Sequence, residues 1–257
     1  MDLKIKDQYF LVGGAGSGFG RAVALSLAAE GARVLAVSRT AEKLESLKAE
    51  FPSQIDILSA DLSLDETHQH IADYYKNNQL SGIFVNAGGP PAGGFSEINM
   101  QQWDEGWRTI VRWKIALIQR LLPMMQKNHY GRILFLESIS VKQPIPNLIL
   151  SNALRAAVMG FAKTLSSEVA SLGITVNLMA PGYHDTAAMD RIFRKKSELE
   201  GISFEEAKRY MEKEIPVGKM GRPEDLASLA TWLLSPNSQY ITGQTISHTG
   251  GLIKGMF

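Results

Sequence analysis

The chain contains no cysteine. Disulfides, thiolate catalysis and cysteine-bound zinc are excluded by that absence, which leaves the compartment open. It also lacks an excess of either charge: 27 basic against 26 acidic side chains leave a formal net charge of +1. On that balance neither nucleic acid nor an anionic membrane surface is expected as the main partner. No apolar run approaches the ~20 residues that a membrane span requires. Met1-Asp2-Leu3-Lys4 leads into mixed charge and a strand, not into the apolar core of a signal peptide. Internal repeats, low-complexity stretches, linkers and metal-ligand patterns are missing as well. With 257 residues, 45% of them hydrophobic, the chain is long enough for one α/β domain with a full core. The expectation is a soluble, cytoplasmic protein with a single domain over 1–257.

What is present is arranged around Leu11–Ala24, LVGGAGSGFGRAVA. The apolar run Tyr9–Val12 leads into it and a helical pattern opened by Arg21 follows, so the stretch reads as strand, glycine-rich turn and helix. The spacing Gly14-x-x-x-Gly18-x-Gly20 keeps glycines where a Cβ would collide with a diphosphate or with the turn itself. The helix behind the turn aims its free N–H groups and the positive end of its dipole at the phosphates. Loops also hold three glycines for steric reasons alone, and residues downstream decide between the two readings.

Gly18 to Glu30 reads as that helix, closed by Gly31, and Ala32–Ser38 as a second strand. ARVLAVS is short, apolar and bounded by turn signals, as a buried parallel strand should be. Ser38-Arg39 stands at its end, where folds of this kind meet the adenosine ribose. An acid there would accept from a 2′-hydroxyl, whereas a hydroxyl and a guanidinium suit a 2′-phosphate. NADP is therefore expected over NAD, with a solvated loop arginine as the alternative. Thr40 can cap a charged helix to about Phe51, and Ile55–Ala60 is a third strand. At Asp61-Leu62 the carboxylate either accepts from an adenine amino group or shapes a turn.

A helix over Asp65–Asn77 and a fourth strand over Gly82–Val85 run into Asn86-Ala87-Gly88-Gly89-Pro90-Pro91. The helix of about Met100–Lys127, carrying Trp103, Trp107 and Trp113, is expected to kink or end around Pro123. Arg132–Glu137 is a fifth strand. Leu148–Leu172 is a long helix whose Leu154, Val158, Phe161, Leu165, Val169 and Leu172 recur at helical spacing. Ile174–Ala180 is a sixth strand, ending at Pro181-Gly182. The charged segment from Tyr183 to about Pro216 is read as a mobile lid, Pro223–Leu234 as the last helix, and Gln244–Ser247 as a final short strand. Strands alternating with helices from end to end imply an α/β fold. The expected form is a Rossmann-type doubly wound parallel sheet of about seven strands, with ligands at the strands' carboxyl ends.

Taken in order, several motifs resemble the short-chain dehydrogenase/reductase family, and the 3-oxoacyl-(acyl carrier protein) reductase branch in particular. They are Gly14/Gly18/Gly20, Asp61-Leu62, Asn86-Ala87-Gly88, Ser138, Ile174-Thr-Val-Asn177, Pro181-Gly182, Thr186, and Ile241-Thr-Gly-Gln244 with Gly250-Gly251. The resemblance implies an NADP site built from Gly14, Ser17, Gly18, Phe19, Gly20, Ser38, Arg39, Asp61, Leu62, Asn86, Ala87, Gly88, Pro181, Gly182 and Thr186. It implies a small-molecule carbonyl or hydroxyl substrate and a homodimer or homotetramer paired through the fourth and fifth helices. The tryptophans around Trp113 and the apolar face near Phe161 are suitable surfaces, unless they are ordinary core.

The family's chemistry rests on an Asn, a Ser and a Tyr-x-x-x-Lys pair on one helix face. In that scheme tyrosine, its pKa lowered by lysine, protonates the alkoxide while serine holds the carbonyl oxygen. Here Ser138 stands at the serine position, but Ser151 and Arg155 stand for Tyr and Lys, and Ile110 aligns with the Asn. Gly13 and Val85 are two smaller departures. A serine hydroxyl has too high a pKa to replace tyrosine, and arginine stays charged. Ser151 and Arg155 can bind an oxyanion, a carboxylate or ribose hydroxyls but cannot run that proton relay. Lys142 is a candidate replacement acid in the loop SVKQPIPN, or else an exposed loop lysine; His184 and Tyr183 are weaker ones. Glu137, next to Ser138, has no role in this reading. The chain resembles a divergent subgroup with Ser-x-x-x-Arg for Tyr-x-x-x-Lys. Two functions follow: an NADP-dependent oxidoreductase working through an altered site, or a catalytically silent nucleotide-binding sensor or scaffold.

Overall fold

The computed structural model describes residues 1–86 and 88–256, the side chains at 188, 191, 195, 196 and 199 excepted. Ala87 and Phe257 lie outside the described residues. Seven strands form one sheet: β1 (Tyr9–Gly13), β2 (Arg33–Ser38), β3 (Ile55–Ser59), β4 (Leu80–Val85), β5 (Gly131–Leu136), β6 (Ile174–Pro181) and β7 (Thr245–His248). Their spatial order is β3-β2-β1-β4-β5-β6-β7 and every neighbouring pair is parallel. The order reverses between β1 and β4, where Leu11 pairs with Ile83 and Val12 with Phe84. Ligands of doubly wound sheets bind outside the strand carboxyl ends at such a reversal. The helices leaving β1 and β4 part to opposite sides there and leave a crevice.

Strands buried on both faces must be apolar at odd and even positions alike, and these are. Phe10 and Val12 point into one core with Val34, Ala36 and Leu134, covered by α1 (Gly18–Ala29), α2 (Ala41–Glu50) and, late in the chain, α9 (Pro223–Leu233). Leu11 points into the other with Val37, Ile83 and Phe135, under α3 (Asp65–Tyr74), α5 (Trp113–Asn128) and α6 (Ile149–Val169). The segment after β6 folds as α7 (Ala187–Glu200) and α8 (Phe204–Glu214) around a third, small cluster of Phe193, Ala207, Ile215 and Met220. Among the described residues no helix is long and apolar enough to cross a membrane.

Two expectations need correction. The helix starting at Met100 does not end at Pro123, which sits inside α5. The irregularity lies earlier: α4 (Met100–Gly106) passes through a π-helical segment, Trp107–Arg112, before α5 begins. Re-spacing the ladder leaves carbonyls to side chains. The Thr109 hydroxyl donates to the Glu105 carbonyl at 2.8 Å, and the Trp113 indole N–H donates to the Thr109 carbonyl at 2.8 Å. That bond also fixes Trp113, which is 1% exposed and packed in the core beneath α5. Trp113 therefore offers no surface to a second subunit. Phe161 is half-buried, edge-on to Phe135, and packs on the same core.

Candidate active site

The glycine turn lies at the carboxyl end of β1. Gly14 has φ +63°, and a Cβ there would come within 2.6 Å of the Asn86 side-chain amide. A Cβ on Gly20 would overlap the Gly14 carbonyl. The turn can therefore press against both the loop after β4 and the start of α1 only if it carries glycine. Asn86 ties the two strand ends together, its amide donating to the Gly13 carbonyl at 3.3 Å. Ser17 precedes α1 in extended conformation, exposed, and makes no capping bond, and the first turn holds no acid. The first N–H groups of α1 thus meet no side-chain cap and no competing carboxylate. A diphosphate fits this cradle.

The remaining residues expected at a dinucleotide site gather round it. A Cβ on Gly16 would meet the Ser38 hydroxyl at 2.6 Å, which puts the end of β2 against the turn. Arg39 is exposed beside it. Asp61 accepts from the Ser63 N–H at 2.8 Å, and that bond, helped by the Arg39 charge, holds its carboxyl below the usual range. It shapes a turn. Leu62 is buried against Gly13, and Thr186 leans over Gly18 from the start of α7. Phe19 packs edge-on against His184, centroids 4.9 Å apart. Gly88 is exposed in the loop after β4, and Pro181-Gly182 closes β6.

His184 turns out to be structural. It is 2% exposed, faces the Gly182 carbonyl at 3.1 Å through Nδ1, and shares a 2.8 Å hydrogen bond between its Nε2 and Nδ1 of His248, with which it stacks. Burial pushes both imidazoles below their ordinary pKa. Tyr183 packs in the small cluster under α7 and α8, and burial pushes its phenol up. Neither has the setting of a proton donor.

The residues at the candidate catalytic positions form a different constellation from any expected. Ser138 follows β5 and caps a short 3₁₀ turn, Ile139–Val141, its hydroxyl accepting from the Ser140 N–H at 3.2 Å. Lys142 ends that turn, half-buried. Ser151 and Arg155 are one helical turn apart on α6, both buried, and Arg155 Nε donates to Ser151 Oγ at 3.0 Å. Arg155 Nη1 donates to Glu137 Oε2 at 2.8 Å. The other carboxylate oxygen of Glu137 accepts from Lys114 on α5. The Glu137 side chain is wholly inaccessible and that of Lys114 nearly so. Burial and the Arg155 charge pull the Lys114 ammonium below its ordinary pKa, with Glu137 opposing them.

Lys114 was not visible as a site residue in the sequence, and Glu137 had no role there. The usable signal was spacing: Lys114 falls four residues after Ile110, on the same helix face as the position where the resemblance expects Asn.

A family profile described as Enoyl-(Acyl carrier protein) reductase matches residues 14–253. The chain belongs to the short-chain dehydrogenase/reductase family. It is 32% identical to Nodulation protein G of Rhizobium sp. (strain N33), over 94% of this chain and 95% of that one. It is 26% identical to the 3-oxoacyl-[acyl-carrier-protein] reductase FabG of Aquifex aeolicus (strain VF5), covering 98% of this chain and all of the other. Among solved structures it is similar to L-sorbose reductase from Gluconobacter frateurii, crystallised with NADPH and L-sorbose. That match has a TM-score of 0.93 and 26% identity, and covers 100% of both chains.

In this short-chain dehydrogenase/reductase Ser151 and Arg155 stand where the resemblance expects the Tyr-x-x-x-Lys pair. Because Ser151 Oγ accepts from Arg155 Nε, its own proton is left to donate elsewhere. Behind it stand two cations and one anion, a net positive charge in a low-dielectric setting. Such a group can hold a negative oxygen without itself transferring a proton. Among the described residues no cluster of three or more His, Cys, Asp or Glu is placed to hold a metal ion.

Proposed function

We propose that the chain is an NADP-dependent oxidoreductase that acts on a small-molecule carbonyl or hydroxyl group and stabilises the oxyanion electrostatically. The observation that carries this reading is the Lys114–Glu137–Arg155–Ser151 network, built where the resemblance expects the tyrosine–lysine pair. A random decay of the site would leave no reason to bury two cations around one carboxylate, at the desolvation cost such groups carry. Arg39 at the end of β2, with Ser38 against the glycine turn, supports NADP over NAD. NADPH-bound relatives such as L-sorbose reductase support it too.

A bound nicotinamide dinucleotide would supply the hydride. This chain's own part is to hold the diphosphate on the glycine turn and the carbonyl oxygen between the hydroxyls of Ser138 and Ser151. Lys142 on the same loop, or water, returns the proton. The segment 183–216 acts as the lid, and the enzyme works as a homodimer or homotetramer, which light scattering tests.

The function is tested by fluorescence titration with NADPH and NADH, followed by NADPH oxidation against ketones, quinones and 3-oxoacyl thioesters. Turnover should fall on Ser138→Ala, and on Lys142→Ala if the lysine is the donor. NADPH binding without turnover across that panel would instead mark a silent nucleotide binder.

A further inference from the structure

The buried network has one charge too many. Lys114 and Arg155 contribute two cations and Glu137, which pairs with both, contributes one anion. Arg155 is 91% buried by area, with 9% exposed. Its Nε and Nη1 are committed to Ser151 and Glu137, while Nη2 has no hydrogen-bond partner among the described residues. Nη2 lies 3.1 Å from the point where a side chain on Gly89 would begin, so it borders the exposed loop that leaves β4 at the sheet reversal. A guanidinium is a five-donor fork that meets carboxylates in two-point geometry. A buried, uncompensated charge with a free donor at the mouth of a crevice is a site for an anion.

We infer that the substrate carries a carboxylate close to its reacting carbonyl, and that Arg155 Nη2 receives it. This rests on the oxidoreductase reading above and adds the substrate class. The carboxylate neutralises the net charge of the triad, and the carbonyl one or two carbons away falls between the hydroxyls of Ser138 and Ser151. A Cβ on Gly89 would stand 3.1 Å from Nη2, so a side chain there would crowd the approach to it.

The test needs no turnover. Acetoacetate and its neutral methyl ester are compared as ligands of the NADP-saturated protein, by thermal shift and by calorimetry. The carboxylate is expected to bind about 10- to 100-fold tighter than the ester, the range for one charge-assisted pair. Arg155→Lys keeps a cation for Glu137 but lacks the fork, and should lose most of that discrimination while retaining NADP affinity. Gly89→Ala should weaken acetoacetate and leave the ester unchanged. Equal binding of acid and ester by the wild-type protein would overturn the inference, as would discrimination that survives Arg155→Lys. If ketones are reduced while acid and ester bind alike, the inference falls and the oxidoreductase reading stands. If NADPH does not bind, that reading falls first.

Discussion

Replacing Glu137 with glutamine removes the anion that lies between two buried cations. Lys114 and Arg155 would keep their positions on α5 and α6 and face each other across a neutral amide. Removing one partner of a buried ion pair costs about 3–5 kcal/mol, because the charge left behind stays desolvated. For a chain of this size each kcal/mol moves Tm by about 2–4 °C, so the melting point should fall by roughly 6–20 °C. Thermal unfolding followed by circular dichroism reads this directly, and urea unfolding should show a lower midpoint at an unchanged slope. The loss should depend only weakly on salt, since the Glu137 side chain is wholly inaccessible and that of Lys114 nearly so. A companion variant checks the cause. Lys114→Met, Glu137→Leu and Arg155→Met together remove all three charges, and should be more stable than Glu137→Gln alone by about 1–4 kcal/mol. A drop below about 1 kcal/mol for the single variant, or a triple variant less stable than it, would refute the argument that the three buried charges are energetically coupled.

Arg39→Ala should weaken NADPH by about 10- to 100-fold and leave NADH nearly unchanged, as expected for a lost charge-assisted contact; paired fluorescence titrations read the ratio. Gly20→Ala should destabilise by about 1–3 kcal/mol through overpacking against the Gly14 carbonyl and abolish dinucleotide binding, seen in the same titration and a thermal melt. Acid should destabilise the region around α7. His184 and His248 are held below their ordinary pKa by burial, so the unfolded chain binds more protons than the folded one. Their contribution is complete above about pH 6.5 and is lost as pH falls below it. Urea midpoints at pH 7 and pH 5 should differ less in His184→Phe than in the wild-type protein.

The sheet was legible in the sequence because buried parallel strands are short apolar runs, and all seven lie within two residues of their expected bounds. The glycine turn and Thr186 were legible for the same local reason: steric demand at a turn leaves a spacing. What escaped was tertiary. Lys114 and Glu137 are 23 residues apart and meet only because α5 packs over β5, so neither carried a sign of its partner. Trp113 could be read as subunit surface or as core, because a tryptophan on an amphipathic helix reads alike on either face; it lies inside, its indole N–H bonded to the Thr109 carbonyl. Pro123 suggested a break that α5 absorbs, while the true irregularity at Trp107–Arg112 has no proline. His184, a weak candidate donor on the stem of the lid, is locked by His248, 64 residues away. At Ser151 and Arg155 the sequence marked the departure from the usual pair, and the packing of α5, β5 and α6 supplied its electrostatic partner.

The most direct measurement is single-turnover oxidation of NADPH by a carbonyl substrate in the wild-type protein and in Ser151→Ala, with NADPH affinity determined for both. Electrostatic holding of the oxyanion predicts unchanged affinity and a rate lower by about 10²–10³-fold when that donor is removed. Equal rates in the two proteins, or tight NADPH binding with no oxidation in either, would contradict it.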